Sequence, residues 1–191
     1  MITLKPWLVT IAFVLILRYT GALSGISFVT QSAVMSTGLM DAKTEADVTR
    51  PEAFNYNFTI KDLHGNVIHA EELKGKVVFL NLWATWCGPC RVEMPSIEAL
   101  YNSVEKDKVV FVMLSLDTPQ NFNKVVKYIE DKGYSFPVYV IDNGLTEQLQ
   151  VPSIPTTFVV GKDGMIKRKE VGTANYDTPK FKQFLNTLAA Q

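Results

Sequence analysis

The chain has 191 residues, with 19 lysines and arginines against 19 aspartates and glutamates, so its formal net charge is zero. That balance argues against a nucleic-acid binder, which carries a basic excess. A content of 47% hydrophobic and 20% charged residues argues against a disordered chain.

Residues 1–30 stand apart, with Lys5 and Arg18 and no acidic residue. Trp7 to Leu17 is an uncharged run of eleven residues, the length of a signal-peptide apolar core. A lipid span needs about 20 residues. Counting on to Val29 gives 23, with Arg18 near the middle, where an arginine costs roughly 2.5–3.5 kcal/mol. Three readings are open: a signal peptide cleaved near Ala22 and Ser24, a buried helix, or an uncleaved anchor. The anchor is favoured, because Ala22, Ile26, Val29 and Ala33 continue at helical spacing, followed by Met35, Leu39 and Met40. A membrane-surface helix uses such a stripe, whereas a mature N-terminus does not. Residues 1–40 are thus expected to be a membrane anchor (or signal segment) with an amphipathic extension. Residues 41–57 are polar, with alternating charges and Pro51, and read as a linker. The folded domain is expected over 58–191, with its first residues near Phe54–Phe58.

Within that domain, Phe58–Ile60 and Val67–His69 flank a Gly65-Asn66 turn and predict a small hairpin. Val77–Trp83 is a continuous apolar run, the pattern of a central strand covered on both faces. A helix is expected from Gly88–Pro89, since Ile97, Leu100, Tyr101 and Val104 repeat at helical spacing. Val109–Leu116 predicts a second central strand. Asp117-Thr118-Pro119 then reads as a cap and first-turn proline for a helix to about Lys132. Phe136–Ile141 predicts a third strand, and Asn143-Gly144 a turn into a short helical segment. Thr156–Val160 and Met165–Val171 bracket Gly161–Gly164 as a hairpin, and Asp177-Thr178-Pro179 caps a last helix. This order specifies an α/β fold with parallel pairs inside the sheet and an antiparallel edge.

The chemistry sits between the first central strand and the helix after it. Cys87 and Cys90 are the only cysteines, two residues apart. A disulfide between them closes almost no loop and cannot staple a fold. At a helix N-terminus, unpaired amides and a partial positive charge stabilise a thiolate, which makes Cys87 the nucleophile. Cys90, one turn inside, is placed to attack a mixed disulfide and release the substrate. A structural zinc site needs about four ligands, and only His64 and His69 remain, both in the opening hairpin. A c-type haem needs histidine directly after the second cysteine, and that residue is Arg91. No metal and no cofactor is expected. Glu93 follows Cys90 by three residues and precedes Ile97 by four. It therefore lies on the apolar face of the helix, beneath the thiol. Burial and a nearby thiolate would raise its pKa. The alternative is a half-solvated glutamate favoured by the helix dipole.

Trp86-Cys87-Gly88-Pro89-Cys90 is identical to the thioredoxin active-site motif, and Pro95 matches the proline of the thioredoxin active-site helix. Ile154-Pro155-Thr156 resembles that family's cis-proline loop. With the apolar N-terminal segment, the Cys90–Pro95 sequence and the added helix and strand near 119–141, the chain resembles TlpA/ResA-like membrane-anchored thiol-disulfide oxidoreductases. The resemblance implies a thioredoxin-like fold: a mixed central sheet flanked by helices, an N-terminal β-hairpin and an inserted helix-strand. It implies catalysis by Cys87, Cys90 and Glu93, and substrate contacts from Trp86, Pro89, Ile154 and Pro155. Asn81 departs from the buried aspartate of many thioredoxins, which leaves Glu93 as the acidic group of the motif.

The function expected is reduction of disulfides in exported proteins, apocytochrome c among them. Oxidised cysteine-containing proteins would be the partners and a membrane thiol transporter the electron donor. The catalytic domain would be monomeric, tethered to the membrane, and outside the cytoplasm in the periplasm. The Gly-Pro between the cysteines resembles thioredoxin, at about −270 mV, rather than the oxidant DsbA, at about −120 mV. A disulfide oxidase or isomerase is the alternative within the class. A thiol peroxidase or a copper chaperone lies further off, since the cysteines form a CxxC and no histidine follows His69.

Overall fold

The computed structural model describes residues 40–42 and 52–191, together with Trp7, Thr10 and Ile11. The chain divides into two units, Met1–Leu39 and Met40–Gln191. Of the first, the three described residues are helical and exposed. The anchor expected over residues 1–40 otherwise lies outside the described residues. Among those described, no helix is long and apolar enough to cross a membrane.

The second unit is built on a seven-stranded sheet. In chain order the strands are β1 (Thr59–Asp62), β2 (Val67–His69), β3 (Val77–Trp83), β4 (Val109–Ser115), β5 (Val138–Asn143), β6 (Thr156–Val160) and β7 (Ile166–Val171). In space they run β2-β1-β5-β4-β3-β6-β7. The centre, β5-β4-β3, is parallel, while β1 and β6 pair antiparallel on either side. Both ends of the sheet are hairpins, β1–β2 and β6–β7. Gly65, at φ 89°, turns the first, a backbone angle other residues rarely adopt. Three α-helices follow: α1 (Gly88–Ser103), α2 (Phe122–Lys132) and α3 (Pro179–Ala190). This is the thioredoxin-like architecture expected from the sequence.

Strand β3 positions the site. All seven of its residues are buried, and successive side chains alternate between faces. Val77, Phe79 and Trp83 enter a cluster that α1, α2 and α3 complete with Met94, Val125 and Phe181. Val78, Leu80 and Leu82 enter a second cluster, closed by Phe54, Tyr56, Phe58 and Leu149. Asn81 shares the parity of Phe79 and Trp83, so it points at α1.

Two local readings differ from the structure. Asp117 does not cap the helix after it: that segment opens as a 3-10 turn, Pro119–Asn121, before α2. The Asp117 carboxylate instead accepts from Thr85 N at 2.8 Å, Thr85 Oγ1 at 2.7 Å and Ser115 Oγ at 2.9 Å. Residues 52–57, placed in the polar linker, also make contacts with the domain. Ile166 N donates to Glu52 O and Phe54 N to Gly164 O, and Phe54 and Tyr56 are buried. The period-two spacing of Phe54, Tyr56 and Phe58 is a strand pattern hidden in a segment that is polar on average. Upstream, Asn175 N donates to Met40 O and Ala42 N to Asn175 O.

Candidate active site

The loop Ala84–Trp86 carries the chain from the end of β3 to α1, and Asp117 fixes it. Three hydrogen bonds converge on that carboxylate, two of them from Thr85. Leu116 N adds a bond to Trp83 O at 2.8 Å. The loop therefore delivers Cys87 to the N-cap of α1 in a defined orientation. Pro89 occupies the first helical turn, where its missing N–H is no loss.

Cys87 and Cys90 are joined in a disulfide, with Cα atoms 5.3 Å apart. Cys90 N donates to Cys87 Sγ at 3.2 Å, the amide contact that would stabilise a thiolate there. The two cysteines differ in exposure: Cys87 is 5% exposed and Cys90 0%. The Ile154–Pro155 peptide is cis, and Ile154 O lies 3.8 Å from Cys87 Sγ. Gly172 N donates to Pro155 O and Thr173 Oγ1 to Pro89 O at 3.4 Å, so the loop after β7 braces both. Pro155 is buried and Ile154 half-buried. Trp86, 67% exposed, and Pro89 stand on the surface at the mouth of the motif. The structure thus brings Cys87, Cys90, Ile154 and Pro155 together. Arg91, one residue beyond Cys90, is exposed, with its guanidinium 5.5 Å from the Tyr128 ring.

Glu93 lies on the other side of the disulfide, fully buried. Its Oε1 accepts from Asn81 Nδ2 at 2.8 Å and its Oε2 from Ala174 N at 3.2 Å. Burial is the main force on its carboxyl; it outweighs those two bonds, Glu170 adds repulsion, and the pKa rises to about 8. The half-solvated alternative is therefore not what the structure contains. Asn81 Nδ2 also donates to Thr157 Oγ1 at 2.9 Å, and Tyr176 Oη donates to the same oxygen at 2.7 Å. Asn81 and Thr157 are register partners on β3 and β6.

Thr157 and Tyr176 are not singled out by the sequence, Asp117 reads there as a helix cap, and Asn81 is noted only as a departure. Asn81 did leave a signal, as the one polar residue inside the run Val77–Trp83. Among the described residues, no group of three or more histidine, cysteine, aspartate or glutamate side chains could hold a metal.

Comparison with known proteins agrees with this geometry. The model of the AhpC/TSA family matches residues 53–169. The thioredoxin-like protein YneN of Bacillus subtilis is 30% identical over 171 residues, covering 89% of this chain and 92% of that protein. The thiol-disulfide oxidoreductase ResA of Bacillus thuringiensis is 37% identical over 118 residues, 61% of this chain and 66% of ResA. The crystal structure of StoA from Bacillus subtilis superposes with a TM-score of 0.56 at 27% identity, covering 66% of this chain and 94% of StoA.

Proposed function

The chain belongs to the AhpC/TSA family and is a thiol-disulfide oxidoreductase, and we propose that it reduces disulfides in exported proteins through Cys87 and Cys90. The observation that carries this reading is the inequality of the two sulfurs. Cys87 sits at the surface end of α1 beside the Ile154 carbonyl, whereas Cys90 is sealed inside, one helical turn from Glu93.

In the reduced protein, the Cys87 thiol releases its proton to solvent and its thiolate attacks one sulfur of the substrate disulfide. The second substrate sulfur leaves as a thiolate and takes a proton from solvent. Glu93, as carboxylate, then takes the proton of the Cys90 thiol. The Cys90 thiolate attacks Cys87 Sγ, the Cys87–substrate bond breaks, and the remaining substrate thiolate departs. Glu93 returns its proton to that thiolate or to water. The balance is one enzyme dithiol and one substrate disulfide giving one enzyme disulfide and two substrate thiols. A carboxyl that titrates near 8 can both take and return a proton at neutral pH.

Trp86, Pro89 and Ile154 would form the surface on which an extended substrate segment runs past Cys87, with the buried Pro155 setting the loop beneath it. The apolar run Trp7–Leu17 supports a membrane tether, which would hold a monomeric domain outside the cytoplasm, in the periplasm. Oxidised cysteine pairs of exported proteins, apocytochrome c included, are then the substrates, and a membrane thiol transporter is the electron source.

The test combines trapping with a potential. Cys90→Ser should accumulate covalent complexes through Cys87 with a disulfide-bonded protein, and Cys87→Ser should form none. The reduction potential should fall near thioredoxin's, about −270 mV. Trapping through Cys90 alone, or a potential near −120 mV as in the oxidant DsbA, would overturn the reductase reading.

A further inference from the structure

The polar groups behind Glu93 form a chain across three elements, and the hydrogens in it are nearly all accounted for. Asn81 Nδ2 carries two hydrogens: one goes to Glu93 Oε1 at 2.8 Å, the other to Thr157 Oγ1 at 2.9 Å. Thr157 Oγ1 receives a second hydrogen from Tyr176 Oη. Asn81 Oδ1 is buried and has no hydrogen-bond partner. Glu93 therefore only accepts, from Asn81 and from Ala174 N. That arrangement suits a carboxylate. It does not suit a protonated Glu93, whose new O–H meets an amide N–H where it needs an acceptor.

The amide itself supplies the remedy. Its oxygen and nitrogen are close to isosteric, so a half-turn exchanges them with little change of shape. Oδ1 would then stand within reach of both Glu93 Oε1 and Thr157 Oγ1. It would accept the carboxyl hydrogen from one and the hydroxyl hydrogen from the other. Thr157 can supply that hydrogen because a hydroxyl both donates and accepts, and it keeps the bond from Tyr176. Each proton state of Glu93 thus meets a matching atom of Asn81, a donor for the carboxylate and an acceptor for the carboxyl, and the other end of the amide turns to the side where Oδ1 has no partner. An aspartate at this position could not follow the proton in that way, since an ionised carboxylate offers no hydrogen.

We propose that Asn81 is a positioning residue for Glu93 and that its amide reverses each time the carboxyl takes or loses a proton, with Thr157 and Tyr176 stabilising both settings. The inference rests on the reading of Glu93 as the base for Cys90. The charged and titratable groups about Glu93 are Tyr176 ahead of α3 and Glu170 and Arg168 on β7, and Cys90 on α1 joins them only in the reduced protein. Burial and the Glu93 charge keep the Tyr176 phenol protonated well beyond its ordinary range, so it serves as a fixed donor. Arg168 is ion-paired with Glu170.

The experiment is nuclear magnetic resonance of the oxidised protein, following the Glu93 carboxyl carbon and the Asn81 side-chain amide across the pH range that brackets 8. Both signals should move with one midpoint, and the Asn81 signal should be flat in Glu93→Gln. Asn81→Ala should move the Glu93 midpoint upward, because the charge-assisted bond lost by the carboxylate is stronger than the neutral bond lost by the carboxyl. A titrating Glu93 beside an unresponsive Asn81 amide would overturn the inference and leave the base assignment standing. A Glu93 signal that does not titrate in this range would overturn the base assignment itself, and the amide reversal with it. The two wild-type signals decide the matter even if Asn81→Ala does not fold.

Discussion

The two sides of the Cys87–Cys90 disulfide are built on opposite plans. The outer side is open: Trp86 is 67% exposed, Pro89 is on the surface, and a backbone carbonyl, Ile154 O, lies 3.8 Å from Cys87 Sγ. The inner side is closed, with Glu93, Asn81 and Thr157 almost wholly buried and linked by hydrogen bonds shorter than 3 Å. On the proposed mechanism, the difference would separate two tasks that one sulfur could not perform alone. Substrate exchange needs access and tolerance of sequence, which backbone contact provides. Proton handling needs a group shielded from water, so that its pKa is set by the protein. A short helix start lets the two tasks meet three residues apart.

The largest expected effect lies on the inner side. Glu93 titrates near 4.5 when unfolded and about 8 when folded. Between those values the native state holds a proton that the unfolded state has released. The contribution of Glu93 to the stability of the oxidised protein should therefore be greatest below pH 4.5, fall as pH rises to 8, and level off above it. The fall is at most about 5 kcal/mol, at about 1.4 kcal/mol per unit. Glu93→Gln should remove it, as read from denaturant midpoints across pH. An unchanged slope in the variant would place the buried charge elsewhere.

The smaller effect is on the outer side. Trp86→Ala should leave stability within about 0.5 kcal/mol, as for an exposed position. It should weaken capture of a partner protein about five-fold, the value of roughly 1 kcal/mol at an interface. Its pH profile should match wild type. A Trp86→Ala protein with a displaced pH midpoint would show that the two sides are not independent.

What could be read from the sequence follows from how local each feature is. Cys87, Cys90 and Glu93 lie within one helix start, so helical spacing alone placed them. Val77–Trp83 declared itself by apolarity at every position but Asn81, and the structure gives the same bounds. Asp117 was misread because Asp-Thr-Pro is a good cap in isolation, while its real partner, Thr85, is 32 residues away. Thr157 and Tyr176 gave no sign, since Thr157 meets Asn81 only after β3 and β6 pair, and Tyr176 reaches Thr157 from the segment ahead of α3. The aromatic alternation from Phe54 to Phe58 was outvoted by the polar residues between. Local spacing located the two cysteines and Glu93, and strand pairing brought Thr157 to Asn81, which is bonded to Glu93.

The most direct test of a separate proton-handling side is the rate at which Cys90 resolves a preformed mixed disulfide on Cys87, measured against pH in wild type and Glu93→Gln. The wild-type rate should rise through an inflection near pH 8 as the Glu93 carboxylate forms. Glu93→Gln should lose that inflection and run at least about 100-fold slower at the plateau, the lower bound for a positioned general base. Equal rates and superimposable pH profiles for the two proteins would contradict the account.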